Sequence, residues 1–111
     1  MPNTRPTIST HVLDTAEGRP VAGIRVLLVR GGGQGDDWAG AVSDTVTDDD
    51  GRVRDLLAGQ LLEPGSYRLE FVLGEGFFRS LSVWIEVDDA SRSYHVPLLR
   101  SPFGLTTYRG S

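Results

Sequence analysis

The chain lacks several residue types on which many protein functions depend. Its 111 residues contain no cysteine, which excludes disulfides, thiolate metal sites and cysteine nucleophiles. Lysine is also absent, so all 11 basic residues are arginine and Schiff-base chemistry is excluded except at the amino terminus. No apolar run approaches the ~20 residues that a membrane-spanning helix needs. The sequence therefore predicts a protein that acts through other side chains and has no membrane partner.

Composition and charge are those of a soluble globular domain. Hydrophobic residues make up 39% of the chain and charged residues 23%. The length fits one domain over residues 1–111, in which we expect residues 1–6 to be flexible. The net charge is −4 and the arginines do not cluster, so no nucleic-acid partner is expected. The start, MPNTRPTIST, lacks a signal-peptide pattern and the end, RGS, is not a peroxisomal signal, which favours a cytoplasmic location.

Short runs of branched and aromatic residues predict β-strands. They are separated by the turn signals GGGQGDD, DDDG, EPGS and DDAS, and they cover residues 24–30, 40–47, 66–73, 80–88 and 93–99. In the third run Tyr67, Leu69 and Phe71 fall on one side, opposite Arg68 and Glu70. This period-2 alternation is typical of strands with one buried face. The fold class predicted is all-β, with little or no helix.

The run SYHVPLL is apolar on both faces. Alternation assigns one face to Tyr94, Val96 and Leu98, and the other face to His95, Pro97 and Leu99. We expect the first face to enter the core and a second subunit to cover the other, since that face is too apolar for open water. Pro97 cannot donate a backbone hydrogen bond, so it must lie at a sheet edge or where pairing is interrupted.

The two histidines and one arginine are candidates for chemistry. His11 and His95 each lie within a predicted strand, and an imidazole with a pKa of ~6.5 can transfer protons near neutral pH. Considered singly, each is more often a structural residue than a catalyst. Arg52 follows Gly51 in TDDDGRVRD. It is either a solvated arginine beside three aspartates or a fixed guanidinium that holds an oxyanion, and the residues alone favour the first.

Other motifs carry little weight. The aspartates of TDDDGRVRD lack calcium-loop spacing, with Leu57 where a bidentate glutamate would be needed, so calcium is not expected. Two neutral histidines are a poor zinc site, so no metal requirement is expected. The segment GGGQGDDW has no lysine and ends in acids, which favours a hairpin connection over a phosphate loop. A serine triad built on Ser9 or Ser111 with a histidine and Asp14 lacks a glycine-flanked nucleophile.

The carboxyl-terminal segment YHVPLLRSPFGLTTYRGS reaches the last residue without a polar tail. Chain ends are usually frayed, so this pattern predicts a docked terminus whose polar groups serve a site. Together with STHVLDTAEGRPVAGIRV near the start and TDDDGR in the middle, it resembles the 5-hydroxyisourate hydrolase family, the transthyretin-related enzymes of urate degradation. The resemblance covers nearly the whole chain.

The resemblance implies a fold, a reaction and an assembly. The fold is a transthyretin-like sandwich of two four-stranded sheets, and the assembly is a homotetramer with active sites between dimers. The reaction is the cofactor-free hydrolytic opening of 5-hydroxyisourate to 2-oxo-4-hydroxy-4-carboxy-5-ureidoimidazoline. The resemblance assigns catalytic roles to His11, Arg52, His95 and Ser111, and substrate binding to Tyr108, Arg109 and Gly110. It leaves open which histidine is the general base.

The chain departs from the family pattern at one connection. The segment around Gly74–Leu81 is shortened and lacks the usual short helix, and Arg79 replaces a proline there. Leu105 and Arg100 also differ from the common residues. We expect the sandwich to survive, because the missing residues belong to a loop. Two alternative functions stay open: a non-catalytic carrier of a small ligand, and a structural adaptor that pairs through a sheet edge.

Overall fold

The computed structural model describes residues 5–31 and 38–110, and these form strands and loops without a helix. Residues 1–4, most of the segment predicted to be flexible, lie outside the described residues, as does most of the GGGQGDDW connection. The strands are β1 Ile8–Asp14, β2 Arg19–Pro20, β3 Arg25–Gly31, β4 Trp38–Val46, β5 Arg52–Val53, β6 Gly65–Val72, β7 Ser80–Val87, β8 Tyr94–Ser101 and β9 Gly104–Thr107. Since the described residues contain no helix, they include no candidate for a helical membrane span.

Two sheets pack face to face, which confirms the predicted all-β sandwich. One sheet has the order β4-β3-β6-β7 and is antiparallel throughout. The other has the order β2-β1-β8-β9, with β5 also pairing β1. This sheet therefore holds five strands where four were expected, because two-residue strands β2 and β5 pair with different parts of β1. Its β1 and β8 run parallel over their whole registered length.

The core lies between the sheets and follows the predicted alternation. Tyr67, Leu69 and Phe71 of β6 are at most 1% exposed. On β7, the inward residues Leu81, Val83 and Ile85 are only partly buried, since β7 is the edge strand of its sheet. Complete burial of a side chain of this size contributes about 1.5–3 kcal/mol. Because side chains alternate along a strand, the residues between these core positions are directed to the outside of the sandwich.

Strand β8 confirms two predictions made for SYHVPLL: one face enters the core, and Pro97 lies where strand pairing is interrupted. Tyr94, Val96 and Leu98 enter the core. The ladder to β9 ends where Thr107 pairs with Leu98, and the chain next meets β8 at an isolated bridge between Gly110 and His95. Pro97 therefore lies at an interruption of pairing. The second subunit expected over the outer face of β8 stays a prediction.

The shortened connection between β6 and β7 is closed by a hydrogen bond of 2.9 Å from the Leu73 N–H to the Arg79 carbonyl. It turns through Gly74 and Gly76, whose φ angles of 84° and 119° favour glycine. The full ladder between β6 and β7 still forms beside it. The sandwich thus survives the missing residues, as expected.

Candidate active site

The predicted polar triad lies on the outer face of the five-stranded sheet. Thr10 and Val12 of β1 are buried, so His11 between them is directed outward. The same alternation on β8 directs His95 outward. Strand β5 pairs Arg52 with His11 on one side of β1, while β8 runs along the other side. Because neighbouring strands are about 4.8 Å apart, this topology brings the three side chains together.

The TDDDGR turn holds Arg52 against β1. The Asp48 carboxylate accepts the backbone N–H groups of Asp50 and Arg52, both at 2.9 Å. The hydrogen bond from the Arg52 backbone is the main cause that lowers the pKa of Asp48. The Gly51 carbonyl accepts the Val12 N–H at 2.7 Å, which docks the turn onto the central part of β1. The aspartates therefore shape the turn that presents Arg52.

Gly51 is required by this docking. Its φ is +75°, and a Cβ at this position would lie 2.5 Å from the Val12 carbonyl oxygen. Any other residue would be strained and would push the turn away from β1. The DGR sequence is thus explained by a close approach between two backbones.

His95 is the best-connected member of the triad. Its Nδ1 lies 2.8 Å from the Ser9 Oγ, across the parallel pairing of β1 and β8. Partial burial lowers the pKa of His95, and the electrostatic effects of nearby Arg52 and His11 lower it further, while a hydrogen bond with the Ser9 backbone acts in the opposite direction. The imidazole is therefore neutral at pH 7, the state in which it can accept a proton.

The carboxyl terminus docks beside the triad, as the sequence predicts. The Gly110 N–H donates to the His95 carbonyl at 2.8 Å. A Cβ on Gly110 would lie 2.7 Å from the Cδ2 of His95, so only glycine fits against the imidazole. Ser111, assigned a catalytic role from the family resemblance, lies outside the described residues.

The other two tail residues flank the triad without joining it. The guanidinium carbon of Arg109 lies 4.7 Å from the centre of the Tyr94 ring, a cation–π contact on the core side of β8. Tyr108 is about half exposed, at 52%. The structure thus brings His11, Arg52, His95 and Gly110 together and leaves Tyr108 and Arg109 on a neighbouring surface.

Two clefts meet at His95. The first has a volume of about 420 Å³ and a polar lining that includes Ser9, Arg52, Arg54, Ser93 and His95. The second has a volume of about 280 Å³, opens between β7 and the tail, and is lined by residues that include Val83, Ile85, Tyr94, His95, Tyr108 and Arg109. The first cleft carries the polar groups that a hydrolytic reaction needs.

Residues 5–31 and 38–110 contain no group of three or more histidine, aspartate or glutamate side chains placed to hold a metal ion. Within the same residues, the chemistry available on the outer face is that of two imidazoles, the guanidinium groups of Arg52 and Arg54, and hydroxyl groups. Sequence reasoning had not singled out Arg54 or Ser93, and it considered Ser9 only as a nucleophile. Alternation along β1 does place Ser9 on the face of His11, but its contact with His95 depends on the register with β8.

The sandwich and its polar outer face define a transthyretin-like protein that carries a partly buried histidine–arginine site. The HIUase/Transthyretin family model matches residues 8–110. The chain belongs to this family.

Known relatives share both the sequence and the fold. The chain is 40% identical to a 5-hydroxyisourate hydrolase of Caulobacter vibrioides, over 94% of this chain and 97% of the relative. It superposes on the structure of Klebsiella pneumoniae 5-hydroxyisourate hydrolase with a TM-score of 0.80 at 30% identity, over 96% and 99% of the two chains. Sea bream transthyretin in complex with thyroxine gives a TM-score of 0.82 at 24% identity, over 93% of each chain, which shows a shared fold alone.

Proposed function

We propose that the protein is a 5-hydroxyisourate hydrolase, which opens the 5-hydroxyisourate ring to give 2-oxo-4-hydroxy-4-carboxy-5-ureidoimidazoline during urate degradation. The observation that carries this proposal is the convergence of His11, Arg52 and His95 on one outer face beside the docked Gly110. The names of the relatives from Caulobacter vibrioides and Klebsiella pneumoniae support the substrate. No cofactor is required in this scheme.

The proposed reaction begins with proton removal from water by His95. The neutral imidazole takes the proton on Nε2, and the hydroxide that is released adds to a carbonyl carbon of the ring. The Arg52 guanidinium stabilises the oxyanion that forms on the carbonyl oxygen. Collapse of this intermediate breaks the ring C–N bond, the imidazolium returns its proton to the leaving nitrogen, and the carbonyl becomes the carboxyl group of the product.

His95 is the proposed base because its surroundings favour the neutral form. The pKa of His95 is lowered by burial and by the electrostatic effects of nearby Arg52 and His11. In this scheme His11 acts as a hydrogen-bonding partner of the substrate. We propose that Ser111 supplies a hydroxyl at the end of the tail and that Gly110 closes the site beside His95, while Tyr108 and Arg109 contact the substrate from the neighbouring second cleft.

The proposal includes the assembly and the location. A homotetramer would cover the outer face of β8, where Pro97 is already buried within one chain and His95 and Leu99 are half-buried. We propose that a neighbouring copy completes the cleft over His95. Light scattering of the purified protein measures the mass, and a monomer with full activity would contradict this part. A cytoplasmic location is consistent with a chain that has no cysteine.

A ligand carrier is the competing function, and the polar outer face argues against it. A carrier of an apolar ligand needs an apolar channel, whereas Val53 is, among the described residues, the one apolar residue that lines the first cleft, beside two arginines, two serines, a threonine and a histidine. The fold shared with sea bream transthyretin does not distinguish the two functions.

The test is a direct assay of hydrolysis. 5-Hydroxyisourate is generated in place by urate oxidase, and its decay is followed by absorbance with and without the protein. We expect the protein to accelerate the decay, equally well in the presence of a chelator. Decay at the rate of buffer alone would contradict the proposed function.

A further inference from the structure

The two nitrogens of the His95 ring have different surroundings. Nδ1 lies 2.8 Å from the Ser9 Oγ. Within residues 5–31 and 38–110, no side chain is hydrogen-bonded to Nε2. The Ser9 backbone is a further hydrogen-bond partner of the ring. A neutral imidazole carries its proton on one nitrogen and a lone pair on the other, so a fixed partner on Nδ1 determines what Nε2 can do.

The Ser9–His95 contact is built into the sheet. Ser9 and His95 are paired residues of the parallel β1–β8 ladder, and both face outward because their neighbours on each side are buried. The buried Thr10 Oγ1 donates to the Val96 carbonyl at 2.6 Å, one residue further along the same ladder. This bond adds to the β1–β8 ladder, from Ile8 and Tyr94 to Asp14 and Arg100, whose register places the serine hydroxyl beside the imidazole.

The backbone of Gly110 meets the opposite edge of the same ring. An ideal Cβ on Gly110 would lie 2.7 Å from the Cδ2 of His95 and 3.3 Å from its Cγ. The ring is therefore held on the Nδ1 edge by Ser9 and on the Cδ2 edge by Gly110. The Cε1–Nε2 end is the part of the imidazole that remains open to a substrate.

We propose that Ser9 is a positioning residue of the hydrolase, whose hydroxyl accepts the Nδ1–H of His95 and so presents the Nε2 lone pair to the cleft. This inference rests on the proposed function. When Nε2 takes a proton from water, the hydroxide adds to the ring carbonyl and the Nδ1–H···Oγ hydrogen bond persists in the imidazolium. Ser9 itself forms no bond to the substrate and exchanges no proton.

Several charged or titratable groups also surround His95. Arg52 on β5, His11 on β1 and Arg54 lie on the side of the first cleft, and Glu86 on β7 with Tyr108 and Arg109 of the tail lie on the side of the second. Among the described residues, Ser9 alone places a side-chain atom within hydrogen-bond distance of the ring. Removal of its hydroxyl leaves all these groups in place, so the effect reports orientation and proton position.

The kinetic test uses Ser9→Ala, the conservative variant Ser9→Thr and the control Ser82→Ala. Ser82 is an exposed serine on the outer face of β7, in the other sheet. We expect Ser9→Ala to lower kcat by roughly 10- to 100-fold with KM nearly unchanged, because a misplaced base costs up to about that factor. Ser9→Thr keeps a hydroxyl and restores most of kcat, and Ser82→Ala behaves as wild type. Wild-type kcat in Ser9→Ala would overturn the proposal.

A second readout does not depend on activity. The ¹⁵N NMR spectrum of the His95 ring in the whole protein reports which nitrogen carries the proton. We expect wild type, Ser9→Thr and Ser82→Ala to show a protonated Nδ1 and an unprotonated Nε2, and Ser9→Ala to show a mixture of both forms. A protein without hydrolase activity that shows these spectra would refute the proposed function and leave the positioning of His95 by Ser9 intact. Identical ring spectra in Ser9→Ala and wild type would overturn the positioning.

Discussion

The arginines on the two outer faces of the sandwich differ in whether they pair with carboxylates. On the four-stranded sheet, the Arg25 guanidinium makes two hydrogen bonds of 2.8 and 2.7 Å to the Asp44 carboxylate on the neighbouring strand. Arg68 lies 3.8 Å from the Glu70 carboxylate on the same face. On the five-stranded sheet, Arg52 forms no ion pair within 4 Å among the described residues, and two imidazoles are its neighbours.

The difference separates charges that are neutralised within the fold from a charge that is available to a ligand. Because the Arg25 guanidinium already donates two hydrogen bonds to a carboxylate, few of its N–H groups are available to bind an anion. Arg52 is held through its backbone by Asp48, at 2.9 Å, while the residue lines the same cleft as His95. A guanidinium that is positioned but not neutralised can stabilise the oxyanion of a hydrolytic reaction. The same residue type therefore has a structural role on one face and, in the proposed reaction, a catalytic role on the other.

Arginine substitutions on the two faces test this difference most strongly. We expect Arg52→Ala to lower kcat for 5-hydroxyisourate roughly 100- to 1,000-fold, the usual effect of removing one oxyanion donor. Arg25→Ala, the matched control, should leave kcat unchanged. Steady-state kinetics with far-UV circular dichroism on each variant measures both activity and fold. Equal losses of activity in the two variants would show that the faces do not differ.

Two glycine substitutions test the contact between the tail and His95. Gly110→Ala places a methyl group where the His95 ring lies, since a Cβ there is 2.7 Å from Cδ2. We expect kcat to fall roughly 10- to 100-fold, because the ring or the tail must move. Gly40→Ala on β4 is the control, with nothing within 4 Å of the added carbon. If Gly110→Ala were as active as Gly40→Ala, the contact between the tail and His95 would have no role in activity.

The docking of the Asp48–Arg52 turn predicts a difference in stability between two glycines. Gly18 and Gly51 both have positive φ, 69° and 75°, but only the Gly51 Cβ would meet a backbone oxygen, at 2.5 Å. Gly18→Ala should cost about 1–2 kcal/mol through conformation alone. We expect Gly51→Ala to lower the free energy of unfolding by more, as measured by urea denaturation. Equal costs would mean that the close approach to β1 contributes nothing.

The smallest expected effect is the pH dependence that His95 gives to activity and stability. Burial, Arg52 and His11 lower the pKa of His95, so kcat/KM should fall with acid only below the ordinary histidine value of ~6.5. Between the lowered pKa and ~6.5 the unfolded chain binds more protons than the folded one, so stability decreases as pH falls through this range and levels off below it.

An arginine pair also tests the cause of this shift. Arg52→Gln removes one positive charge and should raise the pKa of His95, whereas Arg25→Gln should not. NMR titration of the His95 ring measures both values. An unchanged titration in Arg52→Gln would remove Arg52 as a cause of the shift.

Much of the fold could be predicted from local sequence patterns. Alternation identified β6 and β7 within a residue or two of their ends and placed Tyr67, Leu69 and Phe71 in the core. The two-residue strands β2 and β5 could not be predicted, because each exists only through its pairing with β1. A two-residue segment has no hydrophobic period of its own.

Less of the site followed from the residues alone. The sequence indicated that His11 and His95 could transfer protons, but their convergence depends on a parallel pairing between β1 and β8, about 85 residues apart. The grouping with Arg52 came from the family resemblance. That resemblance also assigned Arg109 to substrate binding, and its stacking on Tyr94 at 4.7 Å could not be read from any motif. Long-range register decided each of these contacts.

The most direct test of the account compares the decay of 5-hydroxyisourate with wild type, His11→Ala and His95→Ala under identical conditions. The convergent site predicts rapid decay with wild type and loss of most activity in both variants, with His95→Ala lowered roughly 100- to 10,000-fold as expected for a lost general base. Wild-type activity in His95→Ala would contradict the central claim that this outer face is the active site.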